Sequence, residues 1–227
     1  MSDIIQRFRD ENPELDQSTI SDATCQAWLT IGDQEVCMDQ RLITLENVSF
    51  AAIAGQNIYS LTTLNALFFD INESYGGGLV YYNTSGSYKR IYPKTKAWLD
   101  NNNSQWRTAS TGTPRYYYRS NNSVVVYPTP NSAILNFNVD LVLLSNPFTQ
   151  LSQVPYNALS YLAPFHYALV LYLQWRAKLK IGKDEEGMAA YKLYQAYLQW
   201  MRKTIQGGRQ GEIEFRPQGL PSIGYQR

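Results

Sequence analysis

The chain has 227 residues, enough for one sizeable core or two small lobes sharing one. Its net charge of +1 gives no global electrostatic case for a nucleic-acid binder, and its charged fraction of 17% is below the ~25% usual for soluble domains. Aromatic residues reach 14%, with 18 tyrosines, a side chain that suits both strands and wet protein interfaces.

In chain order, Ile4, Ile5 and Phe8 predict a short leading helix broken before Pro13. Ile20, Ala23, Ala27, Trp28 and Ile31 then recur at helical spacing. They predict a helix over 18–35 with one buried stripe, capped by Ser18 and weakened late by Gly32. Cys25 and Cys37 match no zinc or redox spacing and are read as free thiols in a reducing compartment, with a single disulfide left open.

From about residue 41 the composition turns to Asn, Ser, Thr, Gly, Tyr and Val. Strands are predicted at Ile58–Thr62, Leu79–Asn83, Tyr88–Tyr92, Arg115–Arg119, Val124–Tyr127 and Ile134–Leu144, with turns at 76–78, 84–86 and 120–122. The second and third of these runs form one hairpin, the fourth and fifth another, in an antiparallel lobe and not a βαβ sheet. Pro164 fits the first turn of a helix carrying Phe165, Ala168, Leu169, Tyr172, Trp175 and Leu179. With Val170, Leu171 and Leu173 that helix is apolar almost all round, so its own fold or a neighbouring subunit buries it. Gly182 ends it. Asp184, Glu185 and Glu186 open the next helix, where the macrodipole favours them. That helix bears Met188, Tyr191, Tyr194, Tyr197, Leu198, Met201 and Ile205, and Gly207-Gly208 stops it.

These readings give an α+β fold: an antiparallel helical bundle with an inserted antiparallel β-rich lobe and an extended C-terminal tail. The parts are a helical segment over 1–40, a β-rich insertion over 41–150, a helical hairpin over 151–206 packing on 18–35, and a tail over 207–227. Three glycines and two prolines in 209–227 preclude a regular element, while Ile213, Phe215, Leu220, Ile223 and Tyr225 are spaced as apolar anchors for docking on a partner. Residues 1–50 carry Arg7, Arg9 and Arg41 against ten acids, and residues 171–227 ten bases against five acids, so opposite ends of copies meeting head to tail would attract.

No catalytic constellation stands out. His166, the only histidine, lies in the most apolar helix and reads as a core or interface residue. There is no nucleophile elbow, no His-Glu-x-x-His, no phosphate-binding loop and no dinucleotide fingerprint. Asp33/Glu35 and Glu185/Glu186 read as solvated or capping carboxylates. No cofactor or metal is expected. The run Arg115-Tyr116-Tyr117-Tyr118-Arg119 offers a foothold for stacking single-stranded bases, though alternate residues of a strand face opposite sides. The N-terminus has no signal pattern, and the longest apolar stretch, Phe165 to Leu173, is far short of the ~20 residues of a membrane span. A soluble protein made in the cytoplasm, with no membrane contact, is expected.

The order of parts, with the stretch Trp106 to Pro130 (WRTASTGTPRYYYRSNNSVVVYPTP) and the Pro-led helix pair of 154–201, resembles the head-to-tail adaptor (connector) proteins of tailed bacteriophages. The likeness covers most of 18–205, with a longer β insertion than the smaller adaptors have. The resemblance implies a structural virion protein and no enzyme. Such adaptors form a ring, usually of twelve copies, below the portal protein in the neck between capsid and tail. The ring extends the DNA channel, touches passing double-stranded DNA without sequence preference, and offers a platform to tail or nozzle proteins. It further implies that Ile213, Phe215, Arg216, Pro217, Leu220, Ile223 and Tyr225 dock on the portal. Phe165, Tyr172, Trp175, Tyr191, Tyr194 and Tyr197 would form the core or subunit interface of the helices. The alternatives are a β-lobe module recognising a glycan or receptor, a single-strand binder, and an unrecognised hydrolase.

Overall fold

The structure is a computed structural model and describes residues 1–73, 78–82, 88–102, 106–107, 111–131 and 136–210. The fold class is α+β, and the chain divides into two compact units: 1–40 with 145–227, and 41–144.

The first unit is helical. Helix α1 (Ser2–Glu11) buries Ile4, Ile5 and Phe8, the stripe expected of it. Helix α2 (Asp22–Gln40) starts later and runs further than its sequence pattern. Its cap is Ser21, whose hydroxyl accepts the Thr24 N–H at 3.3 Å. Ser18 belongs instead to a turn in which Asp16 accepts from the N–H groups of Ser18 and Thr19. Pro164 lies in a 3₁₀ turn (Ser160–Phe165), before and not within the helix it was expected to start.

Helix α4 (Tyr167–Lys180) is buried along Ala168–Leu173 by its own fold, so its apolar circumference needs no neighbouring subunit. Helix α5 (Asp184–Gln210) passes through Gly207-Gly208 without stopping, and it presents Met188 to solvent. Leu198 and Met201 are on its buried face.

The second unit holds two sheets. In the first, β9 (Asn136–Leu143) is central: β1 (Ile43–Ala51) lies along one edge, and β3 (Phe68–Ile71) and β4 (Leu79–Tyr82) pair with it as well. β5 (Tyr88–Arg90) extends the sheet as a hairpin with β4. The second sheet runs β2 (Ile58–Ser60), β8 (Ser123–Tyr127), β7 (Tyr116–Ser120), β6 (Tyr92–Pro93). Both expected hairpins, β4–β5 and β7–β8, are present. The lobe is not purely antiparallel: β6 and β7 pair in parallel, with helix α3 (Lys96–Asn102) between them in sequence. Phe50 and Phe137 of the first sheet meet Tyr59 of the second, with ring centroids 5.2–5.3 Å apart. Leu99 of α3 packs with Trp106 and Val125 over the second sheet.

Candidate functional site

The aromatic side chains predicted for the late helices join α4 to α5. Tyr172 lies 5.5 Å from Tyr194, Trp175 4.6 Å from Tyr191, and the Tyr197 hydroxyl donates to the Pro164 carbonyl at 2.9 Å. Phe165, Tyr172, Tyr194 and Tyr197 are buried in this unit, while Trp175 and Tyr191 are half-buried. Burial pushes the Tyr172 and Tyr197 hydroxyls up to about 12, so both stay neutral donors at physiological pH.

The unit's opposite charges meet inside one chain. Lys178 is held between Glu14 and Glu186 and Arg202 reaches Asp39 at 3.0 Å. Burial alone would lower the Lys178 pKa, but hydrogen bonds to the two glutamates hold it above its ordinary value. Glu14 and Asp39 of the acidic first segment are thus paired with bases of the last helices within one chain, where sequence reading had the two segments attracting other copies.

Asp33 corrects a second expectation. It is not solvated: only 1% of it is exposed, and its Oδ1 accepts the Tyr156 N–H at 3.0 Å. Burial pushes its carboxyl up to about 6, against the Tyr156 N–H, which favours the ionised form. The Tyr156 amide belongs to a turn in which Tyr156, Asn157 and Ala158 all have φ between 52° and 59°. Asn157 Oδ1 accepts the Asn146 N–H at 2.9 Å and ties down the other side.

His166 packs beside Tyr156 with ring centroids 5.6 Å apart, and burial lowers its pKa. Cys25 and Cys37 are both buried and free, and burial pushes both thiols up. Among the described residues no cluster of three or more His, Cys, Asp or Glu could hold a metal ion, and no helix is long and apolar enough to cross a membrane.

The tyrosine run is divided between two faces. Tyr116 and Tyr118 turn towards Trp98 and Trp106, with centroids 5.1 and 5.7 Å apart. Tyr117 is buried on the other face and donates to Glu73 at 2.6 Å. Arg119 pairs with Asp70, so only Arg115 and Tyr116 of that run remain available to a ligand. The proposed docking residues Ile213, Phe215, Arg216, Pro217, Leu220, Ile223 and Tyr225 lie outside the described residues.

Residues 1–216 match the family model described as SU10 adaptor protein, which bears out the resemblance carried by 18–205. Pro217, Leu220, Ile223 and Tyr225 fall beyond the matched region. No curated protein matches the sequence.

Proposed function

Because this chain belongs to the SU10 adaptor protein family, we propose that it is a structural virion protein joining the head of a tailed bacteriophage to its tail. In this reading copies assemble into a ring, of twelve subunits as the resemblance implies, beneath the portal in the neck of the particle. The ring continues the DNA channel and seats tail or nozzle proteins. The match over 1–216 carries the proposal. In this reading the exposed Met188 and Leu193 of α5 and Tyr161, 48%, 59% and 54% exposed, are positions that a partner would cover. The segment after α5, with Ile213 and Phe215 inside the family match, is the proposed portal-docking tail.

Co-sedimentation with the portal ring of the same genome tests this, comparing the full chain with a chain ending at Gln210, where α5 ends. Stoichiometric binding by the full chain and loss in the shorter one is expected. Binding by both would remove the tail from the interface, and binding by neither would sink the adaptor role.

A further inference from the structure

The cations of the second unit are concentrated in one stretch. Between residues 74 and 139 the sequence has Lys89, Arg90, Lys94, Lys96, Arg107, Arg115 and Arg119 against Asp100 alone. Two are neutralised locally, Arg107 by Asp100 and Arg119 by Asp70. Three others converge: Lys89, Arg90 and Arg115, all exposed, line an open cleft of about 300 Å³ together with Tyr92 and Tyr116.

The fold builds this cleft from two sheet edges. Lys89 and Arg90 end β5, and the next residue, Ile91, is fully buried and donates its N–H to the Leu79 carbonyl at 3.0 Å. Tyr92 then crosses to the second sheet and donates to the Arg115 carbonyl at 2.9 Å, in the parallel register that sets Tyr92 beside Tyr116. Arg115 is fixed from its other side, its N–H bonded to the Tyr127 carbonyl at 2.9 Å. Among the described residues, neither Lys89 nor Arg115 has a carboxylate within ion-pair distance.

Lys89 and Arg115 set two like charges at one opening, and an anion between them would relieve their repulsion while accepting charge-assisted hydrogen bonds. The cationic surface also continues beyond the cleft. Tyr116 adjoins Trp98, and the Lys94 ammonium sits 4.6 Å from the Trp98 ring and 6.0 Å from that of Tyr116. A second positive charge along the same path favours a chain of anions over a single one. Tyr92, 56% exposed, offers a free ring face of the kind on which bases stack.

We propose that this cleft binds the phosphodiester backbone of nucleic acid, with one phosphate between Lys89, Arg90 and Arg115, a neighbouring phosphate near Lys94, and a sugar or base against Tyr92. The proposal rests on the cleft and not on the adaptor reading. It revises the expectation drawn from net charge, because a balanced total conceals one unit's local excess of cations.

Fluorescence anisotropy of the full-length protein with a labelled single strand and its duplex, titrated between about 50 and about 200 mM salt, tests the proposal. Affinity should fall steeply with salt, and Lys89→Ala/Arg115→Ala should weaken binding about tenfold and lower the log–log salt slope by about two. Lys183→Ala/Lys192→Ala, an equal loss of charge on the first unit, should leave both unchanged. Tyr92→Leu separates the two nucleic-acid forms: if the base stacks, only single-strand affinity drops, and if the backbone alone is held, neither affinity changes. Either result supports phosphodiester binding. An equal loss in both double variants, or no loss in the cleft variant, overturns the proposal. So does tighter binding of a sulfated polysaccharide of matched charge density, since the site would then be a glycan site. The cleft variant should still co-sediment with portal rings, so failure here is separable from failure of the adaptor role.

Discussion

Asp33 contributes to stability in an unusual direction. Its carboxyl titrates higher in the folded chain than in the unfolded one, so the folded state holds the proton that the unfolded state has released. Its contribution is therefore complete below about pH 4 and is lost as pH rises through about 6, on the order of 2–3 kcal/mol in all. Urea denaturation across that window should show the native chain losing stability relative to Asp33→Asn. The variant keeps an oxygen for the Tyr156 N–H and should be the more stable of the two at pH 7; parallel pH profiles would refute this. One helical position earlier, Gly32 faces the ring of Tyr172, and a Cβ there would come within 2.8 Å of the ring. Alanine is the better helix former by about 1 kcal/mol, yet Gly32→Ala should destabilise by about 1–2 kcal/mol net, measurable as a lower urea midpoint. Both residues were visible in the sequence and both were misjudged. Asp33 looked solvated beside Glu35, and Gly32 looked like a weak point, because their partners Tyr156 and Tyr172 are distant in sequence.

Elements with a clean period were the readable ones. Helix α1 and the hairpins β4–β5 and β7–β8 follow from spacing and turn chemistry alone. Strand β1 went unread because its alternation breaks at Glu46 and Asn47. There the register with β9 shifts, Asn47 takes φ 56°, and its N–H bonds to the Asp140 carboxylate at 2.8 Å. β3 is four residues long and α3 seven, too short for a period to show. Helix α5 continues through two glycines that lower its propensity without ending it. The left-handed turn at Tyr156–Ala158 has no glycine to announce it. Ala158 is exposed there with φ 59°, so Ala158→Gly should stabilise the chain by about 1 kcal/mol, read from the same urea midpoint, and an unchanged or lower midpoint would count against strain in this turn.

For the whole molecule, charge is better read by spatial unit than by terminus. Two acids of the first fifty residues already pair with bases of the last helices, in Glu14–Lys178 and Asp39–Arg202. Self-association of the purified chain should therefore be indifferent to salt, and an apparent mass that falls at high ionic strength in analytical ultracentrifugation would contradict that. The middle of the chain holds the excess of cations that balance elsewhere conceals, and only the pairing of β6 with β7 brings Arg115 beside Lys89. The candidate cleft was thus half-visible: Arg115 and Tyr116 were marked in a run of tyrosines, but Lys89 and Arg90 belong to a different strand pair, and Tyr92 to a two-residue strand too short for a period to show. The central position of β9 also sets the order in which this unit can fold. Ile43 waits for Leu143, and Phe68 for the same strand, while the β7–β8 hairpin closes on itself. As the chain leaves the ribosome, β1 and β3 remain unpaired edges until the final strand of their sheet appears. Nucleation should begin at the hairpins, and the late docking of β9 should be the slow step that decides between a finished particle component and an aggregate.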